Sequence, residues 1–95
     1  MMLQTAKLKW NVQTTEAVEK ELNKIDKKQA LKIIEVFKKK VASLDKPTTF
    51  AKPLCYEYSG FHSLRVGNYR VVFYIIEKER TIQITRVRHR KDAYN

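Results

Sequence analysis

The sequence is poor in the side chains that build disulfide frameworks and metal centres. Its one cysteine, Cys55, supports neither a disulfide framework nor the set of thiolates that a structural zinc site needs. The two histidines, His62 and His89, are too few to form a metal cluster with that cysteine. We therefore expect a protein that holds no metal and no cofactor.

Long hydrophobic segments are also missing. No apolar run reaches the roughly 18 residues that span a bilayer, and the first ten residues, MMLQTAKLKW, lack the continuous hydrophobic region of a signal peptide. These absences predict a cytoplasmic protein that does not use the membrane. Apolar residues make up 43% of the chain, enough for one modest core, so residues 1–95 are expected to form a single domain without repeats or low-complexity tracts.

Acidic residues are scarce relative to basic ones. The chain has 10 Asp and Glu against 20 Lys and Arg, and its net charge of +10 is typical of a protein that binds a polyanion. Residues 1–47 contain eleven lysines and no arginine, whereas all six arginines lie between Arg65 and Arg90. Lysines on helices are usually a solvated face, but the planar guanidinium of arginine matches phosphate in a bidentate geometry. The second half is therefore the better candidate for an anion site.

Two helices are predicted in the first half of the chain. Thr14 or Thr15 caps a helix that runs to about Ile25. A second helix begins after Asp26 and ends before Pro47. Its apolar residues follow a 4-3-4-3 spacing that turns one stripe towards a partner: Ala30, Ile34, Phe37, Val41 and Leu44.

Four strands complete the predicted fold. Residues 2–10 alternate in polarity and are expected to form the first strand, with the larger apolar side chains Leu3, Leu8 and Trp10. After a loop through residues 48–60, an antiparallel meander is expected at residues 61–66, 69–76 and 81–88. The order β-α-α-β-β-β predicts an α+β fold, in which a helical hairpin packs on one face of a small, largely antiparallel twisted sheet. The other face would be free to bind a ligand.

The segment LRVGNYR, residues 64–70, places two arginines opposite each other. Gly67-Asn68 predicts a two-residue hairpin in which Val66 pairs with Tyr69, and Arg65 then pairs with Arg70. Both arginines would lie on the face away from the helices, where two opposed cations repel each other. Either they splay into solvent beside a sheet edge, or they bind a phosphate between them.

The C-terminal segment TRVRHRKDAYN carries a dense group of polar and cationic residues. Histidine can titrate near neutral pH, arginine can stabilise a transition-state phosphorane, and tyrosine can donate a proton or stack on a base. Cleavage of RNA by attack of a 2′-hydroxyl on its own phosphate needs these groups and no metal. The alternative is a frayed basic tail. The residues concerned are Arg86, Arg88, His89, Arg90, Lys91 and Tyr94.

Three segments resemble the RelE/ParE toxin superfamily, and more closely its RelE branch: AKPL, SGFHSLRVGNYRVVFYI and ITRVRHRKDAY. The similarity extends over the whole chain, and its second half is the specific part. The resemblance implies the toxin of a type II toxin–antitoxin pair, a metal-independent endoribonuclease that enters the A site of the small ribosomal subunit, cleaves mRNA there and inhibits translation. It also implies a cognate acidic antitoxin and a heteromeric toxin–antitoxin complex.

The resemblance assigns roles to particular residues. The arginine of the family's G-[DN]-Y-R motif falls on Arg70, as a catalytic residue that contacts phosphate, and the terminal tyrosine falls on Tyr94, which stacks on or activates the nucleotide. The basic residue after the last strand falls on Arg90 in a gapless alignment, or on Arg88 if counted back from Tyr94. The K-x-L loop makes Lys52 a candidate RNA contact, and Arg65, Arg86, Arg88 and Lys91 are further candidates for substrate binding.

The sequence departs from the family pattern where members of this branch carry lysines on the strand before the turn. Here the residues are His62 and Ser63, so His89 or His62 is the candidate general base. Cys55 follows Leu54 where a glycine is usual, and the chain given ends one residue after Tyr94. Three functions therefore stay open: a ribosome-dependent endoribonuclease, a ParE-like inhibitor of DNA gyrase, and a non-catalytic nucleic-acid-binding or repression module.

Overall fold

A computed structural model describes residues 8–55 and 58–93 of the chain. Its five strands form one sheet in the order β1-β5-β4-β3-β2, where β1 is parallel to β5 and every other pair is antiparallel. The strands are β1 Asn11–Thr14, β2 Lys52–Pro53, β3 His62–Val66, β4 Tyr69–Ile76 and β5 Thr81–His89. The predicted α+β fold is confirmed, and so is the predicted meander of the last three strands.

Two helices pack on one face of this sheet. Helix α1 is Glu16–Asn23, and the hydroxyl of Thr15 caps it by accepting a hydrogen bond from the Val18 N–H at 3.1 Å. Helix α2 is Lys27–Phe37, capped by the Asp26 carboxylate, and it continues into a π-helical turn at Lys38–Ala42. A short helix α3, Arg90–Ala93, follows β5 directly. No helix among residues 8–55 and 58–93 is long and apolar enough to cross a membrane.

The predicted first strand, residues 2–10, is wrong at the three residues that the structure describes. Residues 8–10 are not a strand, residues 2–7 lie outside the described part of the chain, and β1 begins at Asn11. The N–H groups of Lys9 and Trp10 both donate to the carbonyl of Ala42, at 2.8 and 3.1 Å, so this segment is held against the end of the π-helical turn. Pairing with β5 starts only where the Asn11 N–H donates to the carbonyl of Arg80.

The core lies between the helices and the sheet. Phe37 of α2 meets Phe73 of β4 edge to face, with ring centroids 5.1 Å apart. Phe37 and Val41 of the predicted stripe are fully buried, but between them and Ala30 it is Ile33 that is fully buried, whereas the predicted Ile34 is half-buried. The wider π-helical turn lets two adjacent residues, Val41 and Ala42, both reach the core. Short β2, predicted as loop, adds an edge strand where its Pro53 interrupts no internal ladder.

Candidate functional site

The β3–β4 hairpin has the predicted register. Gly67 adopts a φ of +60°, as the first central residue of a type II′ turn does, and the strands pair Val66 with Tyr69 and Arg65 with Arg70. Leu64 and Val66 are buried under the helices on the other side of β3. Arg65 and Arg70 therefore lie on the face of the sheet that the helices leave free, as the sequence predicted.

A third arginine extends this pair. Strand β5 places Arg88 directly opposite Arg70. Arg65, Arg70 and Arg88 thus stand side by side on three adjacent strands, and we call them the arginine row. Since neighbouring strands are about 4.8 Å apart, the row spans about 10 Å of the sheet surface. Like charges in this arrangement destabilise a sheet unless an anion or a fixed partner offsets them.

Two members of the row have fixed partners. The Nη1 of Arg70 donates to the hydroxyl of Ser63 at 3.2 Å, and Ser63 is only 2% exposed. The Nε of Arg88 donates to the carboxylate of Glu21 at 3.1 Å, with the two side chains 39% and 24% exposed. Arg65 is exposed to solvent. Sequence reasoning did not name Ser63 or Glu21 as site residues, because Ser63 acts across the hairpin from Arg70 and Glu21 acts from α1 in the other half of the chain.

A β-bulge in β5 gives the row its third member. Val72 pairs with Arg86, but the next residue, Phe73, pairs with Ile84, so Thr85 is the extra residue. Without this insertion, Arg88 would share the buried face of Ile84, because side chains alternate along a strand. The bulge places Arg86 and Arg88 on the face away from the helices. The bulge is visible in the spacing of the buried residues of β5, which changes from two residues between Ile82 and Ile84 to three between Ile84 and Val87.

A second line of residues lies beside the arginine row. Lys52 of β2 pairs with Ser63, which pairs with Val72, which in turn pairs with Arg86. Lys52 and Arg86 are both exposed and share the face of Ser63. We call the arginine row together with Lys52 and Arg86 the basic face. Five of the residues that the sequence identified as site candidates are therefore brought together by the sheet register.

The two histidines lie on the opposite face of the sheet. His89 pairs with Tyr69 and meets its ring edge to face at 5.1 Å, on the side of the buried Val71. There it lines a cleft of about 540 Å³ beside the end of α1, together with Glu21 and Arg88. The Nδ1 of His89 accepts a hydrogen bond from the Lys91 N–H at 3.2 Å, so the neutral ring carries its hydrogen on Nε2. His62 stacks on Phe73, also on the core side.

The remaining candidates lie at the C-terminal end. Arg90 and Lys91 are the first residues of α3 and are exposed, and the Arg90 N–H donates to the carbonyl of Asn68 at 2.7 Å, which fastens α3 to the hairpin turn. Tyr94 lies outside the described residues. Within residues 8–55 and 58–93, the basic face thus combines four arginines and one lysine with a buried serine hydroxyl, whereas the His89 ring starts from the other face and meets this group only at the cleft that it shares with Arg88.

The chain is similar to known toxins in both sequence and structure. Toxin RelG of Mycobacterium tuberculosis is 42% identical over 48 residues, which cover 50% of this chain and 55% of that protein, so the match spans about half the length of this curated relative. The toxin–antitoxin complex RelBE2 of the same organism contains a chain that matches with a TM-score of 0.78 at 26% identity, covering 92% of this chain and 98% of that one. The isolated RelE toxin of Escherichia coli matches in fold, with a TM-score of 0.58 at 15% identity over 84% of this chain and 83% of that one.

A family model places the chain more firmly. The model for the ParE toxin of the type II toxin–antitoxin system parDE matches residues 12–94, which is most of the chain and includes both helices, the basic face and α3. Together with the RelE-like structures, this match confirms the predicted resemblance to the RelE/ParE superfamily. The chain belongs to the ParE toxin family of type II toxin–antitoxin systems.

Proposed function

We propose that this toxin is a metal-independent endoribonuclease that cleaves mRNA in the ribosomal A site and so inhibits translation. The observation that carries the proposal is the arginine row, which crosses three strands on the open face of the sheet. Guanidinium groups spaced by a sheet are suited to the charged oxygens of an RNA backbone, since each can bind a phosphate in a bidentate geometry.

The row fits the electrostatic demand of RNA cleavage. When the 2′-oxygen attacks the adjacent phosphorus, a new P–O bond forms, the bond to the 5′-oxygen breaks, and negative charge builds up on the phosphoryl oxygens in between. Arg70 and Arg88 would stabilise that charge, while Arg65, Arg86 and Lys52 bind the flanking phosphates. Ser63 holds the guanidinium of Arg70 and Glu21 holds that of Arg88, so these two side chains need less reorganisation to reach the transition state.

Proton transfer has fewer candidates on the protein. Arginine stays protonated at neutral pH and cannot act as a base. His89 and Tyr94 stay candidates, although the His89 ring lies across the sheet from Arg70 and its Nδ1 already accepts the Lys91 N–H. A protein that supplies mainly charge stabilisation depends on its substrate being aligned from outside. The ribosome would hold the messenger in an in-line geometry, and such orientation can lower a barrier by several kcal/mol.

The partner proposed for this chain is an acidic antitoxin in a heteromeric complex. The RelBE2 complex of M. tuberculosis and the RelE–RelB complex of Pyrococcus horikoshii both hold relatives of this fold together with an antitoxin. A chain of net charge +10 with an exposed basic face is a suitable surface for an acidic segment that folds as it binds.

A second candidate is inhibition of DNA gyrase on the same fold. The match to the ParE family model favours it, and so does the position of the His89 imidazole, which lies across the sheet from Arg70. A gyrase inhibitor needs an interaction surface but no set of proton-transfer groups. Binding of nucleic acid without any catalysis would use the same basic face.

One set of assays separates these functions. The purified toxin is incubated with naked RNA, with ribosomes programmed with the same RNA, and with gyrase and plasmid. The proposal expects little cutting of naked RNA and cleavage within the A-site codon on ribosomes. Efficient cutting of naked RNA at every phosphate contradicts the role of the ribosome. No cleavage in either RNA assay together with inhibition of supercoiling assigns the chain to the gyrase inhibitors. No cleavage and unchanged supercoiling leave only the nucleic-acid-binding module.

A further inference from the structure

One carboxylate on α1 contacts both the backbone and a side chain of β5. The Oε1 of Glu21 accepts a hydrogen bond from the Val87 N–H at 2.7 Å, and its Oε2 accepts one from the Nε of Arg88 at 3.1 Å. Glu21 stands 66 and 67 residues before these partners, so the contact is made by tertiary packing of α1 against the strand. Hydrogen bonds that involve a charged group are shorter and stronger than neutral ones.

The place of this contact follows from the sheet. Strand β1 pairs with β5 only up to Ile84, so among residues 8–55 and 58–93 no strand lies beside the outer edge of β5 at Val87. An edge N–H that is shielded from water must find another acceptor, and Glu21 supplies it. The same carboxylate then reaches round the edge to Arg88, whose side chain starts from the opposite face. Beyond the end of β1, helix α1 thus supplies the hydrogen-bond acceptor for the edge of β5.

Two consequences follow for the arginine row. Because Glu21 uses only the Nε of Arg88, the terminal Nη1 and Nη2 groups stay available for a phosphate. The negative charge of Glu21 also offsets one of the three cations and so weakens the repulsion between Arg88 and Arg70. The contact therefore orders the guanidinium before any RNA arrives, much as Ser63 does for Arg70.

We propose that Glu21 is a positioning residue, which fixes the guanidinium of Arg88 in the arginine row for its contact with the transferred phosphoryl group. This inference rests on the proposed endoribonuclease function. The inference predicts two opposite effects of the Glu21 carboxylate. Its negative charge should weaken the binding of RNA, while its contact with Arg88 should raise the cleavage rate of bound RNA. A residue with only a structural role would not move these two quantities in opposite directions.

The first test of this proposal requires no cleavage. The ¹⁵N–¹H signal of the Arg88 Nε is followed by NMR, and its exchange with solvent is measured in the unaltered protein, in Glu21→Gln and in Glu35→Gln. Glu35 is an exposed carboxylate on α2, so its substitution removes the same charge without touching β5. We expect slow exchange in the unaltered protein and in Glu35→Gln, and fast exchange in Glu21→Gln. Fast exchange in the unaltered protein overturns the proposal without any variant.

The second test uses the same three proteins on programmed ribosomes. We expect Glu21→Gln to lower the single-turnover cleavage rate at saturation by about 10–100-fold, as misplaced catalytic groups do. RNA affinity should stay the same or rise, with a salt dependence steeper by about one charge. An unchanged saturating rate in Glu21→Gln contradicts the positioning role. If the unaltered protein cleaves nothing, the proposed function fails, while the exchange measurement still decides whether Glu21 orders Arg88.

Discussion

At the scale of single residues, Arg70 best separates function from stability. It stands between two other cations, and a sheet gains nothing from such a row by itself. Its one described hydrogen bond goes to Ser63. We expect Arg70→Ala to abolish growth arrest in cells that express the toxin, because loss of one transition-state donor costs roughly 10²–10³ in rate. The free energy of unfolding, measured by thermal melting, should change by less than about 1 kcal/mol, because the lost hydrogen bond lowers it and the relieved repulsion raises it.

The matched control for Arg70→Ala is Lys78→Ala. Lys78 is exposed in the 3₁₀ turn after β4, at the opposite end of that strand from Arg70, and its loss changes the net charge by the same amount. Growth arrest should persist in Lys78→Ala. Full toxicity of Arg70→Ala, or its failure to fold, would count against phosphate binding by the arginine row.

A second residue-scale prediction concerns pH. The Lys9 ammonium donates a hydrogen bond to Asp45 at 2.9 Å, and this bond and the Lys9 charge hold the pKa of Asp45 below its ordinary value of 3.8. The ion pair therefore contributes to stability above pH 3.8, and its contribution is lost as the pH falls through the lowered pKa. Melting temperatures of the unaltered protein and Asp45→Asn should differ slightly at neutral pH and converge in acid. A difference that grows on acidification would contradict this assignment.

At the scale of elements, the hairpin could be predicted because its turn fixes the register. Gly67-Asn68 allows one pairing, and the partners of Val66 and Arg65 follow from it. The face of Arg88 could not be predicted from simple alternation, because the bulge at Thr85 inverts the rest of β5. Residues 8–10 were assigned to a strand for a different reason. Their polarity fits the alternation of a strand, but Trp10 is bound to the end of the π-helical turn through tertiary hydrogen bonds that leave no sequence signal.

The hairpin turn itself gives a prediction. Gly67 has φ of +60°, and a Cβ added there would meet no atom within 4 Å, so the cost of a side chain is purely conformational. We expect Gly67→Ala to lower the free energy of unfolding by roughly 1–2 kcal/mol in chemical denaturation. Asn68→Ala, at the neighbouring exposed position whose φ is not positive, should change it by less than about 0.5 kcal/mol. Equal effects at both positions would show that the turn is not strained in the way described.

At the scale of the whole molecule, the fold separates two kinds of basic residue. Seven of the lysines lie in the two helices and the π-helical turn, whereas four of the six arginines lie on the opposite side of the sheet. Net charge and the arginine-rich second half were visible in the sequence. The union of Lys52, Arg65, Arg70, Arg86 and Arg88 on one surface was not, because it depends on the register of four strands.

This charge gives a prediction about assembly. Association of the toxin with its acidic antitoxin should be fast at low salt and should slow markedly as ionic strength rises, since charge steering is screened over about 10 Å at 0.1 M salt. Stopped-flow mixing at several salt concentrations measures this dependence. An association rate that is independent of salt, or a toxin always recovered alone from its native host, would contradict the proposed partner.

In the proposed endoribonuclease, the arginine row rather than the exposed residues of α3 stabilises the transition state. Arg88 and Arg90 are the matched pair that tests it, because they are two residues apart but only Arg88 stands opposite Arg70. The measurement is the single-turnover rate of A-site cleavage on programmed ribosomes for Arg88→Ala and Arg90→Ala. We expect Arg88→Ala to lose roughly 10²–10³ in rate, and Arg90→Ala to stay near the rate of the unaltered protein. Full activity in Arg88→Ala together with loss of activity in Arg90→Ala would contradict the account.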